Sequence, residues 1–343
     1  MCIRDRYTSE PESGRWQEYP FALKAVGDKA FTEGINRMVI HRYAMQPHPD
    51  AAPAMTLGPW GIHFDRTNTW WEPGRAWIDY LNRCQTLLQE GLFVADFAYF
   101  TGDNIVGYTK VHRRDLNPVP PEGYDYDLMN TETLLNRAWV ERGRLRLPDG
   151  MNYRVLVLQE QSHITLGLLR KLRNMVEQGL IIVGARPQQT VGLQSYSVIE
   201  EKEFEQLCDE LWGKAATTVV DRSVGKGRIF WETSLNLEQV LEKIQLRPDF
   251  EVITDSISAP IRYIHRQIGE ADVYFVANQQ RTSKELICNF RVKGKIPEFW
   301  NPISGERTRA MVYQTNEETI SVPVQLEAYG SVFVVFLSLI HIS

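Results

Sequence analysis

Two short apolar segments with an amphipathic helix between them constrain the fold of this chain most strongly. They span residues 154–158 and 180–183, and such unbroken hydrophobicity is typical of strands buried on both faces of a parallel sheet. Thr165 and Gly179 are suited to begin and end the intervening helix. Because a strand–helix–strand unit has a right-handed crossover, residues 91–247 are predicted to form a doubly wound, flavodoxin-like α/β domain. The apolar stripe of the helix is Leu168, Leu169, Leu172, Met175 and Val176.

The pattern of apolar residues changes near residue 248. Short strand-like segments follow one another, separated by turn formers such as Ser304 and Gly305. Strands at this spacing predict an antiparallel β-sandwich over residues 248–337. In the preceding domain, residues 92–100 predict one further strand, which is apolar except for Asp96. The segments of the sandwich are 261–265, 273–277, 285–292, 319–324 and 331–336.

The first region, residues 7–90, contains a strand-like segment at residues 35–41 that ends in His41. Barrel enzymes present polar side chains to their substrates at strand ends of this kind. A long proline-rich loop, residues 42–74, follows, and its aromatic content argues against disorder. A helix with Gly91 as its C-terminal cap comes next. Its apolar positions are Trp77, Leu81, Cys84 and Leu88.

Composition and charge exclude several classes of protein. The chain has 343 residues, of which 43% are hydrophobic and 24% charged, as in ordinary globular proteins. Its formal net charge of −5 gives no bulk attraction to nucleic acid or to anionic lipid. The four cysteines have no metal-binding spacing, and no run of 18 apolar residues suggests a membrane span. A globular chain with no nucleic-acid partner is therefore expected.

The two ends of the chain do not fit the patterns beside them. Residues 1–6 have neither the apolar core of a signal peptide nor a strand or helix pattern, and residues 338–343 prolong the last strand without a turn. Both segments resemble translated sequencing-adapter remnants. We interpret them as non-native and expect the natural protein to continue upstream of residue 7.

Motifs for several chemistries are absent from the sequence. There is no GxSxG serine elbow, no HExxH zinc motif and no GxxxxGK[ST] phosphate loop, and the glycines around Lys226 have the context of a β-hairpin. The aromatic loop remains. Sugars combine hydroxyl groups with apolar C–H faces that pack on indole rings, so a loop offering both kinds of contact suits a carbohydrate. Those groups are Asp65, Arg66, Asn68, Trp70 and Trp71. The open alternative is that the rings form core and that His41 is a structural histidine.

Three motifs in residues 31–100 carry a family resemblance. They are the G-x-N-R-x-x-x-H-x-Y-x-x-Q-P run at 34–47, the G-P-W-G block at 58–61 and the N-T-W-W block at 68–71. Together they resemble the end of the catalytic barrel of glycoside hydrolase family 106, the α-L-rhamnosidases. Downstream, LPDGMNYRVLVL resembles the amidotransferase-like domain of the same family, and YGSVFVVF its terminal β-sandwich.

The resemblance implies an inverting, calcium-dependent enzyme that removes terminal α-L-rhamnose from plant glycans or rhamnogalacturonan outside the cytoplasm, in the periplasm or beyond the cell. Residues 7–90 would then be the last part of a (β/α)8 barrel, and the catalytic glutamates are expected upstream. Neither Glu10 nor Asp65 can be matched to a catalytic carboxylate. The expected sugar-binding residues are His41, Asn68, Trp70, Trp71, Asn36 and Arg66.

Two other functions stay open at the level of sequence. The chain could be a non-catalytic carbohydrate-binding or interaction module, which would bind a saccharide without the aromatic loop. An amidotransferase activity of the α/β domain is disfavoured, because the clearest strand exits, at Gln159 and Gly184, offer no thiol nucleophile. We expect the chain to be part of a glycoside hydrolase and to be inactive alone.

Overall fold

A computed structural model describes residues 4–8, 16–51, 55, 58, 60–102, 112–159, 162–191, 198–214, 219–232, 236–253 and 260–338. The chain folds as two compact units. The first unit consists of Met1–Phe93 and Phe250–Ser343, and the second of Val94–Asp249. The sequence predicted residues 7–90 and 248–337 as separate domains, whereas the structure places both in the first unit.

The described residues form five α-helices. A short 3-10 helix at Arg113–Asp115 and a π-helical turn at Thr133–Arg137 accompany them. The α-helices are α1 Pro20–Thr32, α2 Arg75–Gln89, α3 Leu166–Glu177, α4 Val198–Trp212 and α5 Leu237–Lys243.

The strands are numbered along the chain. They are β1 Arg4–Tyr7, β2 Arg37–Ile40, β3 Leu92–Phe93, β4 Phe97–Phe100, β5 Tyr126–Met129, β6 Trp139–Glu141, β7 Arg144–Arg146, β8 Asn152–Tyr153, β9 Val155–Val157, β10 His163–Ile164, β11 Ile181–Val183, β12 Gln189–Thr190, β13 Val219–Val224, β14 Gly227–Glu232, β15 Phe250–Ile253, β16 Ile261–Ile268, β17 Ala271–Asn278, β18 Lys284–Phe290, β19 Lys295–Trp300, β20 Arg307–Arg309, β21 Gln314–Thr315, β22 Ile320–Leu326 and β23 Ser331–Ser338.

The second unit is built on a six-stranded sheet with the order β13-β14-β11-β9-β4-β5. Its strands β5, β4, β9, β11 and β14 are mutually parallel, and β13 adds an antiparallel edge. Every residue of β4 and β9 is buried, which explains why these strands are continuously apolar in the sequence. The predicted parallel sheet and the predicted hairpin around Lys226 are confirmed.

Helix α3 forms as its sequence predicts. Thr165 caps its N-terminus by accepting a hydrogen bond from the Leu168 N–H at 3.4 Å. Gly179, with φ of +120°, follows the end of the helix, where a left-handed backbone favours glycine. The buried residues of the helix include all five of the predicted stripe. Local periodicity and capping therefore define this helix completely.

The predicted strand over residues 92–100 is wrong, because the chain passes from one unit to the other within it. β3 pairs with β16 in the first unit, whereas β4 belongs to the sheet of the second. Asp96 lies at the break, where its carboxylate is 3.4 Å from Arg154 and its backbone oxygen accepts the Arg154 N–H. The pair thus lies just before β9 and β4 begin, where the buried Asp96 charge has the partner that it needs.

The first unit contains two antiparallel sheets, with orders β20-β19-β23-β17-β16-β3 and β15-β18-β22-β21. Side chains of β17 alternate between two cores. Val273 and Phe275 pack in a cluster with residues of α1 and α2, whereas Tyr274 and Val276 pack in a second cluster with residues of the other sheet. The larger sheet is therefore buried on both faces of its central strands.

Strands β1 and β2 pair in parallel, with α1 between them along the chain. The sequence predicted no element in residues 1–6, yet Arg4–Tyr7 forms β1. At the other end, β23 extends to Ser338, and residues 339–343 lie outside the described residues. No helix in the described part of the chain is long and apolar enough to span a membrane.

A buried polar network joins α1 and α2 to β23. The Lys24 ammonium lies 2.5 Å from the Asp28 carboxylate and also donates to the Ser331 hydroxyl at 2.7 Å. Tyr80 on α2 donates its hydroxyl proton to Asp28. Because Asp28 is fully buried, its carboxylate depends on these donors for its stability.

We expect Asp28→Ala to destabilise the first unit by about 3–5 kcal/mol, because the change leaves Lys24 and Tyr80 buried without their acceptor. Urea unfolding followed by hydrogen exchange in peptides of α1 and α2 measures the loss. The matched control is Glu33→Ala, which removes an exposed pair with Lys29 and should cost less than about 1 kcal/mol. Equal losses for the two variants would contradict the network's role.

A half-buried carboxyl, that of Asp125, lies in the second unit just before β5. Burial raises the pKa of Asp125 to about 7, against the opposing effect of the Arg113 guanidinium, and the nearby Asp249 and Asp96 carboxylates raise it further. An unfolded aspartate has lost its proton by about pH 5. Between about pH 4 and 7 the folded chain therefore binds a proton that the unfolded chain does not, and stability falls as the pH rises.

We expect the second unit to lose about 1 kcal/mol per pH unit at this group between pH 5 and 7. Asp125→Asn cannot ionise and should abolish that part of the slope. Hydrogen exchange of peptides covering β4 and β9 at pH 5 and 7.5 measures it. Asp115→Asn, at an exposed carboxylate, is the control, and identical slopes for wild type and Asp125→Asn would refute the assignment.

Candidate functional site

The carboxyl ends of β1 and β2 meet at one edge because the two strands are parallel. Thr8 follows β1 and His41 follows β2, and the Thr8 Oγ1 and His41 Nδ1 atoms lie 2.9 Å apart. The His41 N–H also donates to the Tyr7 carbonyl at 2.9 Å. The half-buried imidazole is thus held at the strand exit, as the sequence predicted, and bonds to a hydroxyl group.

The loop after His41 folds back on the strand exit. The Ile62 N–H donates to the His41 carbonyl at 2.8 Å, and the Arg42 N–H donates to the Ile62 carbonyl at 2.9 Å. The side-chain amide of Gln46 makes two hydrogen bonds of 3.0 Å with the backbone of Met55. These bonds give the described part of the loop a defined conformation.

Four aromatic side chains form a continuous surface, which we call the aromatic wall: Tyr43, Phe64, Trp70 and Trp71. The ring centroid of Phe64 is 4.8 Å from that of Trp71 and 5.8 Å from that of Trp70. Trp70 in turn contacts Trp77, which is only 5% exposed, whereas Tyr43 at the other end is 61% exposed. The wall therefore runs from core to solvent.

The two tryptophans of the predicted site differ in environment. Trp70 is partly buried against the core of α1, α2 and β17, and its indole N–H donates to the Glu18 carbonyl at 2.9 Å. Trp71 is half-buried beside the exposed ring of Tyr43. Trp71 is consequently the better placed of the two to present a ring face to a ligand.

The two asparagines of the predicted site are buried and bonded to the backbone. Asn36 Nδ2 donates to the Leu88 carbonyl at 3.2 Å, and Asn68 Nδ2 donates to the His63 carbonyl at 2.7 Å. In the structure, the Asn36 amide therefore stabilises α2 and the Asn68 amide stabilises the loop. The structure does not bring them to the exposed end of the aromatic wall.

Arg66 and Asp65 lie side by side in the loop but differ in exposure. Arg66 is exposed, and its guanidinium donates to the Gln46 carbonyl at 3.1 Å. Asp65 is buried, and its carboxylate accepts the Thr67 N–H at 2.8 Å and the Gln46 amide at 3.3 Å. Asp65 therefore supports the loop, whereas Arg66 is free to change its partner.

Sequence reasoning missed His63. Its ring stacks on Trp16, with centroids 3.8 Å apart. Burial lowers the pKa of His63, with the Asp65 carboxylate opposing and the Arg42 guanidinium assisting this effect, so the ring is neutral at pH 7. No motif marks a histidine between Ile62 and Phe64 as different from any other loop residue. Only its stacking on Trp16 in the folded chain marks His63 as part of the candidate site.

The described residues show no metal centre. Among them, no three His, Cys, Asp or Glu side chains come together as a group that could hold a metal ion. What the strand exit offers is a hydroxyl-bonded imidazole, an exposed guanidinium and aromatic ring faces. Such a surface can pack on the C–H face of a ring-shaped ligand and hydrogen-bond to its hydroxyl groups.

We expect Asn68→Ala to destabilise the first unit by about 1–3 kcal/mol, because the His63 carbonyl loses its buried donor. Urea unfolding measures the change. Arg66→Ala, at an exposed position on the same turn, is the control and should change stability by no more than about 0.5 kcal/mol. An unchanged stability of Asn68→Ala would show that this amide is not a support of the loop.

Comparison with known proteins supports one family. A family model described as alpha-L-rhamnosidase, glycoside hydrolase family 106, matches residues 7–315. A protein of Formosa agariphila, whose name proposes a β-glucuronidase, is 36% identical over 324 residues, which are 94% of this chain and 26% of that protein.

Solved structures agree with this match. The structure of a rhamnosidase from Novosphingobium sp. PP1Y has a TM-score of 0.87 and 32% identity, and the match covers 98% of this chain and 31% of that one. A β-galactosidase from Bacillus circulans sp. alkalophilus shares the fold alone, with a TM-score of 0.58 and 10% identity over 98% of this chain and 55% of that one. The chain thus spans 26% of the length of the Formosa agariphila protein and 31% of the length of the Novosphingobium rhamnosidase. Because the family model covers most of its length, the chain belongs to glycoside hydrolase family 106, the α-L-rhamnosidase family.

Proposed function

We propose that this chain is the C-terminal part of an inverting glycoside hydrolase that removes terminal α-L-rhamnosyl groups from plant glycans such as rhamnogalacturonan. Family membership over residues 7–315 and the fold match to a rhamnosidase support the proposal. The Formosa agariphila relative bears a β-glucuronidase name, so the test of the sugar must distinguish a rhamnoside from a glucuronide.

The architecture supports the assignment of three parts of the chain to three domains of the family. The order β1-α1-β2-α2 with parallel strands fits the last part of a (β/α)8 barrel. The second unit, with its strands in flavodoxin-like order, is the amidotransferase-like domain. The two antiparallel sheets of the first unit, which share a core, are the terminal β-sandwich.

One observation carries the proposal: His41 at a strand exit, bonded to Thr8, beside the exposed end of the aromatic wall. In barrel enzymes the substrate binds at the carboxyl ends of the strands. Trp71 and Tyr43 supply ring faces for a pyranose, and Arg66 and His41 supply polar groups. The chain thereby contributes one side of a sugar site, in which His41 binds and orients a hydroxyl group.

Hydrolysis with inversion needs a carboxylic acid and a carboxylate about 6.5–9.5 Å apart, with a water molecule between them. Asp65 cannot serve, because its oxygens already accept bonds from Thr67 and Gln46. Glu10 lies outside the described residues. We therefore place the catalytic pair in the remainder of the whole protein, and this chain alone is inactive.

Calcium is implied by the family resemblance, and it stays part of the proposal. Among the described residues, no three His, Cys, Asp or Glu side chains come together as a group that could hold a metal ion. Calcium also binds backbone carbonyl and side-chain amide oxygens, so we assign it no ligands in this chain. His41, Trp71 and Arg66 act by direct contact with the sugar.

We expect this chain to show no turnover of an aryl α-L-rhamnoside, because we place the catalytic pair in the remainder of the whole protein. Release of the aryl alcohol is measured at pH 5 to 8. Turnover that Glu10→Gln or Asp65→Asn abolishes would refute the inactivity and would place a catalytic carboxylate within this chain.

Binding tests the sugar site itself. We expect rhamnose-bearing oligosaccharides to release measurable heat on titration into the wild-type chain, and either His41→Ala or Trp71→Ala to lower the affinity at least about tenfold, since each removes a central contact. Trp139→Ala, an exposed tryptophan of the second unit, is the control and should bind normally. Heat that persists in both variants would instead favour a non-catalytic binding module elsewhere in the chain.

A further inference from the structure

Gly61 is the last residue of the G-P-W-G block and lies against His41. The Ile62 N–H, next along the chain, donates to the His41 carbonyl at 2.8 Å. On the other side of Gly61, the Trp60 carbonyl accepts a hydrogen bond of 2.9 Å from the Arg42 guanidinium. Hydrogen bonds of the residues before and after it therefore hold Gly61 at the end of β2.

The position of Gly61 leaves no room for a side chain. The residue is buried and its φ is +93°, in the left-handed region that favours glycine. A Cβ atom at this position would lie 2.8 Å from the His41 carbonyl oxygen and 3.0 Å from the His41 Nδ1 atom. The nearest atoms that it would meet all belong to His41. A side chain at residue 61 would therefore displace His41.

The two nitrogens of the His41 imidazole differ in their partners. Nδ1 lies 2.9 Å from the Thr8 Oγ1 atom, and this hydrogen bond orients the ring. Among the described residues, none hydrogen-bonds to Nε2. Because a Cβ atom at residue 61 would crowd the same nitrogen that Thr8 contacts, it would disturb this bond. Glycine at residue 61 therefore preserves the orientation in which Nε2 remains for a ligand.

Gly58, in the same block, provides a matched comparison. Its φ of +79° is also left-handed, but a Cβ atom there would meet nothing within 4 Å. Alanine at either position strains the backbone, yet only at Gly61 would the new methyl group reach His41. Backbone strain and displacement of the imidazole can therefore be measured separately.

We propose that Gly61, held in place by Arg42, is a positioning residue for His41. It leaves the space beside Nδ1 free of a side chain, so that the imidazole stays bonded to Thr8 and its Nε2 atom is available to a saccharide hydroxyl. The inference rests on the sugar site proposed at His41 and deepens it, since Gly61 acts through the imidazole and not by contact with the sugar.

The first measurement needs no sugar. The imidazole nitrogen NMR resonances of His41 are recorded in wild type, Gly61→Ala and Gly58→Ala, and are assigned with His41→Ala. We expect Gly61→Ala to shift the Nδ1 resonance in the same direction as Thr8→Val, because both variants lose the bond to the hydroxyl group. Gly58→Ala should leave it unchanged. A His41 resonance in Gly61→Ala identical to that of wild type would overturn the inference.

The second measurement is titration of methyl α-L-rhamnoside into the full chain. We expect Gly61→Ala to lower the affinity at least about fivefold, which is the scale of one hydrogen bond, and Gly58→Ala to bind like wild type. In a His41→Ala background, Gly61→Ala should weaken binding no further, because its effect passes through the imidazole. Equal losses with and without His41 would show a merely structural role and would also overturn the inference.

A further variant covers the case in which Gly61→Ala does not fold. Arg42→Met removes the guanidinium from the Trp60 carbonyl and so loosens the block; it should shift the same Nδ1 resonance, and an unchanged resonance overturns the inference. If wild type binds no rhamnoside, the proposed sugar site fails, whereas the NMR comparison still decides whether Gly61 positions His41.

Discussion

The double-sided burial of β17 and β23 is the constraint on which the rest of the first unit depends. Phe275 and Phe333 pack against residues of α1 and α2, whereas Tyr274 and Phe336 pack against the second sheet. Each such ring gains about 1.5–3 kcal/mol by leaving water. A sheet of this kind needs a layer on each face, and so neither the helices nor the second sheet can be removed without exposing large aromatic side chains.

The aromatic wall is anchored in that core. Trp77 is buried on α2 in the same cluster as Phe275, and Trp70 and Phe64 pack outward from it. A ring surface anchored in this way loses little conformational freedom when a ligand binds, which lowers the entropic cost of recognition. The order of contacts from Trp77 to Tyr43 also explains how one cluster can belong to the core at one end and be exposed to solvent at the other.

Local patterns predicted the elements whose causes are local. Helix α3 follows from its stripe and its Thr165 cap, and the buried strands β9 and β11 follow from their unbroken hydrophobicity. The joining of residues 7–90 to residues 248–337 did not follow from any local pattern. It depends on which face of β17 meets which layer, and in the middle of that strand, residues 273–276, both faces carry large apolar or aromatic side chains. The failure at residues 92–100 has the same origin, because pairing partners far along the chain divide β3 from β4.

In the candidate site, too, the sequence pattern alone does not show which partner a polar side chain has. An asparagine in a polar loop is equally suited to a sugar hydroxyl and to a backbone carbonyl, and only the fold shows that Asn36 and Asn68 have carbonyl partners. What distinguishes a binding residue from a support is therefore whether the fold has already satisfied its polar atoms, and sequence pattern does not carry that information.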